Sequence, residues 1–143
     1  GIETYFNRKA KAAGKKMTSL ESIAFQINLF TGLSPTEEEL FLKYTLADLD
    51  VIRTEMRQML SAWESGDTAE LERIFLESVN QVPEVMDIFE TWNYDRNQNW
   101  VPHIISFLES DQIAFVVVGA LHLVGKGSVV DLLQQKGYRV TQR

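Results

Sequence analysis

The 143-residue chain contains no cysteine. That excludes a disulfide framework, thiolate catalysis and a thiolate metal site, and it suits a periplasmic and a cytosolic protein equally well. Histidine is nearly as scarce, with only His103 and His122. Long apolar runs are also missing. No stretch approaches the ~20 residues of a membrane-spanning helix, and no signal-peptide pattern is present. Basic residues are outnumbered, 14 Lys and Arg against 20 Asp and Glu, for a net charge of −6. That balance argues against nucleic acid as a main partner, because phosphate binding needs a basic footprint. The one basic concentration, residues 8–16, reads as a solvated helix face. The chain opens at Gly1 in a helical pattern without Met, as a mature product or a trimmed piece would.

What remains is ordinary for a single globular domain: 45% hydrophobic and 24% charged residues, enough to bury a sizeable core. The feature that organises the chain is residues 113–127, IAFVVVGALHLVGKG. Residues 113–118 are apolar without interruption, the pattern of a strand covered on both faces at the centre of an α/β sheet. Gly119 ends the run and His122 follows, where ligands bind in open parallel sheets.

Around that strand the expected elements are mostly helical. Ile2, Tyr5, Phe6, Ala10 and Ala13 recur at helical spacing up to Gly14. Residues 16–20 are a short candidate strand, and Glu21 stands at the junction with a second helix. Ser34-Pro35-Thr36-Glu37 is a capping box that opens a helix. Leu49, Ile52, Met56, Leu60 and Trp63 form a long amphipathic stripe to Glu64. After Ser65-Gly66-Asp67 a partner helix completes an α-hairpin. Pro83 opens a further helix, and Pro102 kinks it or starts another. Ser128 caps a short helix ended by Gly137, and residues 138–140 return as a final strand. The expected fold is therefore α/β: a few-stranded, mostly parallel sheet with a C-terminal βαβ unit and a large helical portion, belonging to a larger domain.

Candidate chemistry falls on few residues. Gly119…Gly125-Lys126-Gly127-Ser128 fails as a phosphate loop, having five residues between its glycines and glycine after the lysine. Lys126 and nearby N–H groups remain a candidate anion site, against a plain glycine turn. A neutral imidazole at His122 suits metal ligation or proton transfer, or is structural. His103 reads as surface-exposed. Glu21 is a possible metal ligand or general base, or a helix N-terminal acid. Arg96 offers a planar fork for carboxylate or phosphate-like groups. Asn97 orients a substrate or caps a helix, and Trp92 and Trp100 read as core.

Ser19-Leu20-Glu21-Ser22 with Gln26 and Phe30, Asp95-Arg96-Asn97 with Trp100, and Val118-Gly119-Ala120-Leu121-His122-Leu123-Val124-Gly125 together resemble the TraB/PrgY/GumN family. That family is related to the Tiki metalloproteases and, more distantly, to erythromycin-esterase-like and ChaN-like proteins. The resemblance implies that residues 1–143 form one domain, the C-terminal portion of such a protein, in a periplasmic or membrane-associated extracytoplasmic setting. It implies a metal-dependent hydrolase, with a peptidase as one form, acting on a peptide or small-molecule substrate. Glu21, Arg96 and His122 would be catalytic, with His122 and Glu21 holding a divalent metal ion and Asn97 and Lys126 meeting the substrate. The family's first G-x-x-H motif has no counterpart within these residues. The alternative is a non-catalytic module that binds a peptide or signal.

Overall fold

The computed structural model describes residues 1–46, 49–80 and 85–143. Its elements are α1 (Ile2–Ala12), α2 (Ile23–Thr31), α3 (Pro35–Leu46), α4 (Leu49–Ser65), α5 (Thr68–Asn80), α6 (Met86–Phe89), α7 (Arg96–Leu108) and α8 (Val129–Gln135). A π-helical stretch, Glu90–Asp95, joins α6 to α7, and one 3₁₀ turn covers Ala120–His122.

Local sequence signals place most helix ends. Ser34 Oγ accepts from Glu37 N at 3.3 Å while Glu37 Oε2 accepts from Ser34 N at 2.7 Å, so the expected capping box forms. Asp67 caps α5 through Glu70 N at 2.9 Å, and Ser128 caps α8 through Asp131 N at 3.1 Å. Gly137 ends α8 at φ 88°, a conformation that favours glycine. α4 and α5 form the expected hairpin, but through Ala62, Leu71, Ile74 and Phe75, all buried. The Met56, Leu60 and Trp63 stripe is exposed instead. Residues 47 and 48, which would join α3 to α4, and the helix start at Pro83 lie outside the described residues.

The α/β expectation is overturned. Among the described residues there is no strand and no sheet. Residues 15–19, 113–118 and 138–143 have no regular secondary structure, and Gly119 has extended dihedrals. The central strand, covered on both faces, is therefore absent: Ile113 is fully exposed and Phe115 is 72% exposed. A single aromatic contact, Phe6 to Phe115 at 4.9 Å between centroids, covers part of the run. β-branched, apolar composition favours an extended backbone, but a sheet also needs neighbouring strands to take up the N–H and C=O groups. The βαβ unit fails for the same reason, leaving α8 between two segments without regular structure.

Those segments still converge at one place. Trp100, Val101, Ile104, Val129 and Leu133 form a buried cluster of α7 and α8. Leu20, in the bend after residues 15–19, packs against it, as do Val118, Tyr138 and Val140. The total accessible surface is 10527 Å², whereas a folded monomer of 16.4 kDa exposes about 7,500 Å² by the usual scaling. The difference matches the many exposed apolar residues of α1, α2, α4 and residues 113–116.

The core and the apolar run respond differently to substitution. Val101→Ala, at a position 1% exposed, costs about 2 kcal/mol in chemical denaturation, from lost burial plus the cavity left behind. Ile113→Lys leaves the unfolding midpoint unchanged. A loss at Ile113 as large as that at Val101 would mean that the run is buried in solution.

Candidate functional site

The three candidates that the sequence places far apart come together on α7. Arg96 and Trp100 lie four residues apart on one stripe of the helix, and the Arg96 guanidinium sits 4.8 Å from the Trp100 ring centroid. Both reach Glu21 in the bend before α2. Arg96 Nε donates to Glu21 Oε2 at 3.2 Å and Arg96 Nη2 to Oε1 at 2.5 Å, a bidentate pair. Trp100 Nε1 donates to Oε2 at 3.0 Å, and Gln26 Nε2, from α2, donates to Oε1 at 3.0 Å. Four donors thus occupy the lone-pair directions of one carboxylate. Burial alone would raise the Glu21 pKa. The hydrogen bonds from Arg96, Gln26 and Trp100, with the charge of Arg96, outweigh it and hold the carboxyl below its ordinary range.

Arg96 is also tied to its own helix, Nη1 donating to Trp92 O at 3.0 Å. These bonds leave one N–H on Nη1 and one on Nη2 for another acceptor. The side chain is 18% exposed.

A second stripe of the same helical stretch holds the loop that carries His122. Asn97 is fully buried, and Asn93 in the π-helical stretch nearly so. Asn93 Nδ2 donates to Leu121 O at 3.5 Å, and Asn97 Nδ2 to Gly127 O at 3.0 Å. Asn97 Oδ1 lies 2.7 Å from His122 Nδ1. Because Gly127 O can only accept, the amide is oriented with Nδ2 towards it and Oδ1 towards the ring. Oδ1 can only accept in turn, so His122 carries its proton on Nδ1 and keeps the lone pair on Nε2. The loop can lie so close because of its glycines. Gly127 stands at φ +75°, and a Cβ there would come within 3.1 Å of the Tyr94 ring.

The His122 ring stacks at 4.5 Å, tilted by 50°, on Trp100. Trp100 therefore touches Glu21, Arg96 and His122. Burial of the imidazole, reinforced by the Arg96 charge and only partly opposed by Glu21, lowers the His122 pKa to about 4. At neutral pH the ring is an uncharged base.

The other expectations resolve as follows. Asn97 faces inward to His122 and Gly127 rather than outward. Lys126 is exposed in the turn between Gly125 and Gly127. The N–H groups beside it are engaged internally, Gly127 N by Asp131 Oδ2 at 2.7 Å and Asp131 N by Ser128 Oγ. Trp100 is core, as expected, but is also a donor to Glu21. His103, read as a surface residue, is exposed and lines a cavity beside Glu21 and Trp100. Its helical spacing, three after Trp100 and seven after Arg96, was the signal that could have found it.

The sequence profile of the TraB/PrgY/gumN family matches residues 1–142, essentially the whole chain. The chain belongs to that family. No curated protein and no solved structure matches it. Family membership covers Glu21, Arg96, Asn97 and His122 together, the set that the geometry assembles.

Two measurements test this arrangement. Nitrogen-15 spectra of the imidazole will show Nδ1 protonated and Nε2 bare at pH 7, and Asn97→Ala will mix the tautomers. A bare Nδ1 would overturn the assignment. The pKa directions also set a pH dependence. Glu21 and His122 both have lowered folded-state values, so the unfolded chain binds more protons in acid. Their stabilisation is full above pH 6.5, the ordinary His122 value, and falls progressively towards pH 4 as unfolded-state His122 and then Glu21 are protonated. In His122→Phe the loss between pH 6.5 and 5 disappears, which denaturation across that window checks.

Proposed function

We propose that this site is hydrolytic and that His122 is its base. The observation that carries the reading is the neutral imidazole, held by Asn97 as one tautomer, with an Nε2 lone pair beside a cation already fixed in place. Nε2 takes a proton from water, and the water oxygen adds to a substrate carbonyl. Negative charge then builds on the carbonyl oxygen, where the remaining N–H groups of Arg96 stabilise it; as the adduct collapses, the scissile C–N or C–O bond breaks and His122 Nε2 returns its proton to the leaving group. Glu21 keeps the guanidinium oriented before substrate arrives, so little reorganisation accompanies the reaction. A peptide or another acyl compound is the matching substrate class.

The divalent ion implied by the family resemblance fits these residues poorly. Catalytic metal sites use about three protein ligands. His122 Nε2 supplies one, the Glu21 oxygens are engaged by four donors, and among the described residues no three His, Cys, Asp or Glu come together as a metal group. No step is therefore routed through a metal.

Incubation with a fluorogenic peptide library, read by mass spectrometry, tests the proposal. His122→Ala should lower turnover by about 10²–10⁴-fold and Arg96→Lys, which loses the fork, by about 10²-fold. The acidic limb of the rate profile should lie at about pH 4, since the base works only when unprotonated and burial has lowered its pKa. Undiminished turnover in His122→Ala would sink the reading.

A further inference from the structure

A cavity of about 220 Å³ opens between the start of α2 and the middle of α7. We propose that it is a subsite for one uncharged, apolar side chain of the ligand, of the phenylalanine or leucine class. Calling that ligand a substrate rests on the hydrolytic reading above; the binding itself does not. The argument starts from size. Pockets for drug-sized ligands run to about 300–1,000 Å³, while one water occupies about 30 Å³. The space therefore suits one side chain, not a whole ligand and not a lone solvent molecule.

The lining decides the chemistry. Leu20, Phe25 and Trp100 give an aliphatic wall and two aromatic ones. Glu21 is the only carboxylate in the lining. Its charge is already matched by Arg96 and its lone pairs are engaged. A lysine or arginine side chain would gain no free counter-charge there. An apolar group needs none and gains the burial of its surface. Ser22, and Asn99 and His103 on exposed positions of α7, complete the lining with groups able to hydrogen-bond the polar part of the same ligand.

Position links the cavity to the chemistry. Glu21 and Trp100 line it and also belong to the site, and the His122 ring lies 4.5 Å from the Trp100 ring. A side chain seated against Trp100 therefore stands one aromatic ring away from the proposed base. This gives His103, the second of only two histidines, a place at the same centre.

Titration of the ¹⁵N-labelled chain with N-acetyl-phenylalaninamide, followed at the Trp100 indole N–H, tests the inference. A saturable shift is expected, with N-acetyl-lysinamide binding at least about tenfold more weakly. Asn99→Phe, which fills the cavity from an exposed helix position, should abolish the shift, and Phe25→Ala should weaken it about fivefold. No saturable shift, equal binding of the two probes, or indifference to both cavity substitutions would overturn the subsite. Probe binding without any peptide hydrolysis would leave the subsite standing and remove the hydrolytic reading alone.

Discussion

One carboxylate holds the centre of this structure together. Glu21 receives bonds from Arg96 and Trp100, 75 and 79 residues further along the chain, and so pins the segment before α2 onto α7. The pair is mostly buried, 18% and 10% exposed, a setting in which separating two charges from water costs several kcal/mol per ion. Good geometry offsets that cost. Two bonds from the guanidinium, one from the indole and one from Gln26 satisfy the carboxylate fully. Loss of the acid would leave a buried cation without its partner, the expensive half of the asymmetry.

The same arrangement sets the electrostatics of the neighbouring base. Arg96 depresses the His122 pKa and Glu21 raises it, and burial exceeds both. Because the two charges oppose one another at His122, the ion pair presents its donors without keeping the imidazole protonated. Asn97 supplies the remaining constraint. A neutral amide fixes the ring's tautomer while adding no charge, where a carboxylate in its place would favour the imidazolium. Cation, neutral base and their orienting groups are thus separated in role by what each one touches.

Local features of the fold were legible in the sequence, and the sheet was not. Capping boxes, N-caps and C-terminal glycines act within four residues of themselves, so Ser34, Asp67, Ser128 and Gly137 behave as their positions imply. The pattern at residues 113–118 is also a local statement, one of composition alone, and those residues take no regular secondary structure. Burial on two faces is a statement about other segments, which periodicity cannot supply. The described residues provide Phe6 against Phe115 and the α7–α8 cluster beneath Val118, and no neighbouring strand. The Met56–Leu60–Trp63 stripe repeats the lesson, since it defines a helix face without saying what that face meets.

The site was legible by residue and obscure by partner. Glu21, Arg96 and His122 could be singled out by type and by family resemblance, and the family profile spans them all. Their bonding follows from neighbours three or four residues apart along the π-helical stretch and α7. Residues 92, 96, 100 and 103 descend one stripe towards Glu21 and the cavity, whereas 93, 97 and 101 descend the adjacent stripe towards the His122 loop and the core. Written with that spacing, Asn97 belongs with His122, and Trp100 belongs with Glu21. The stretch from Trp92 to Trp100 thus carries two faces, and residue type alone did not say which residue holds which.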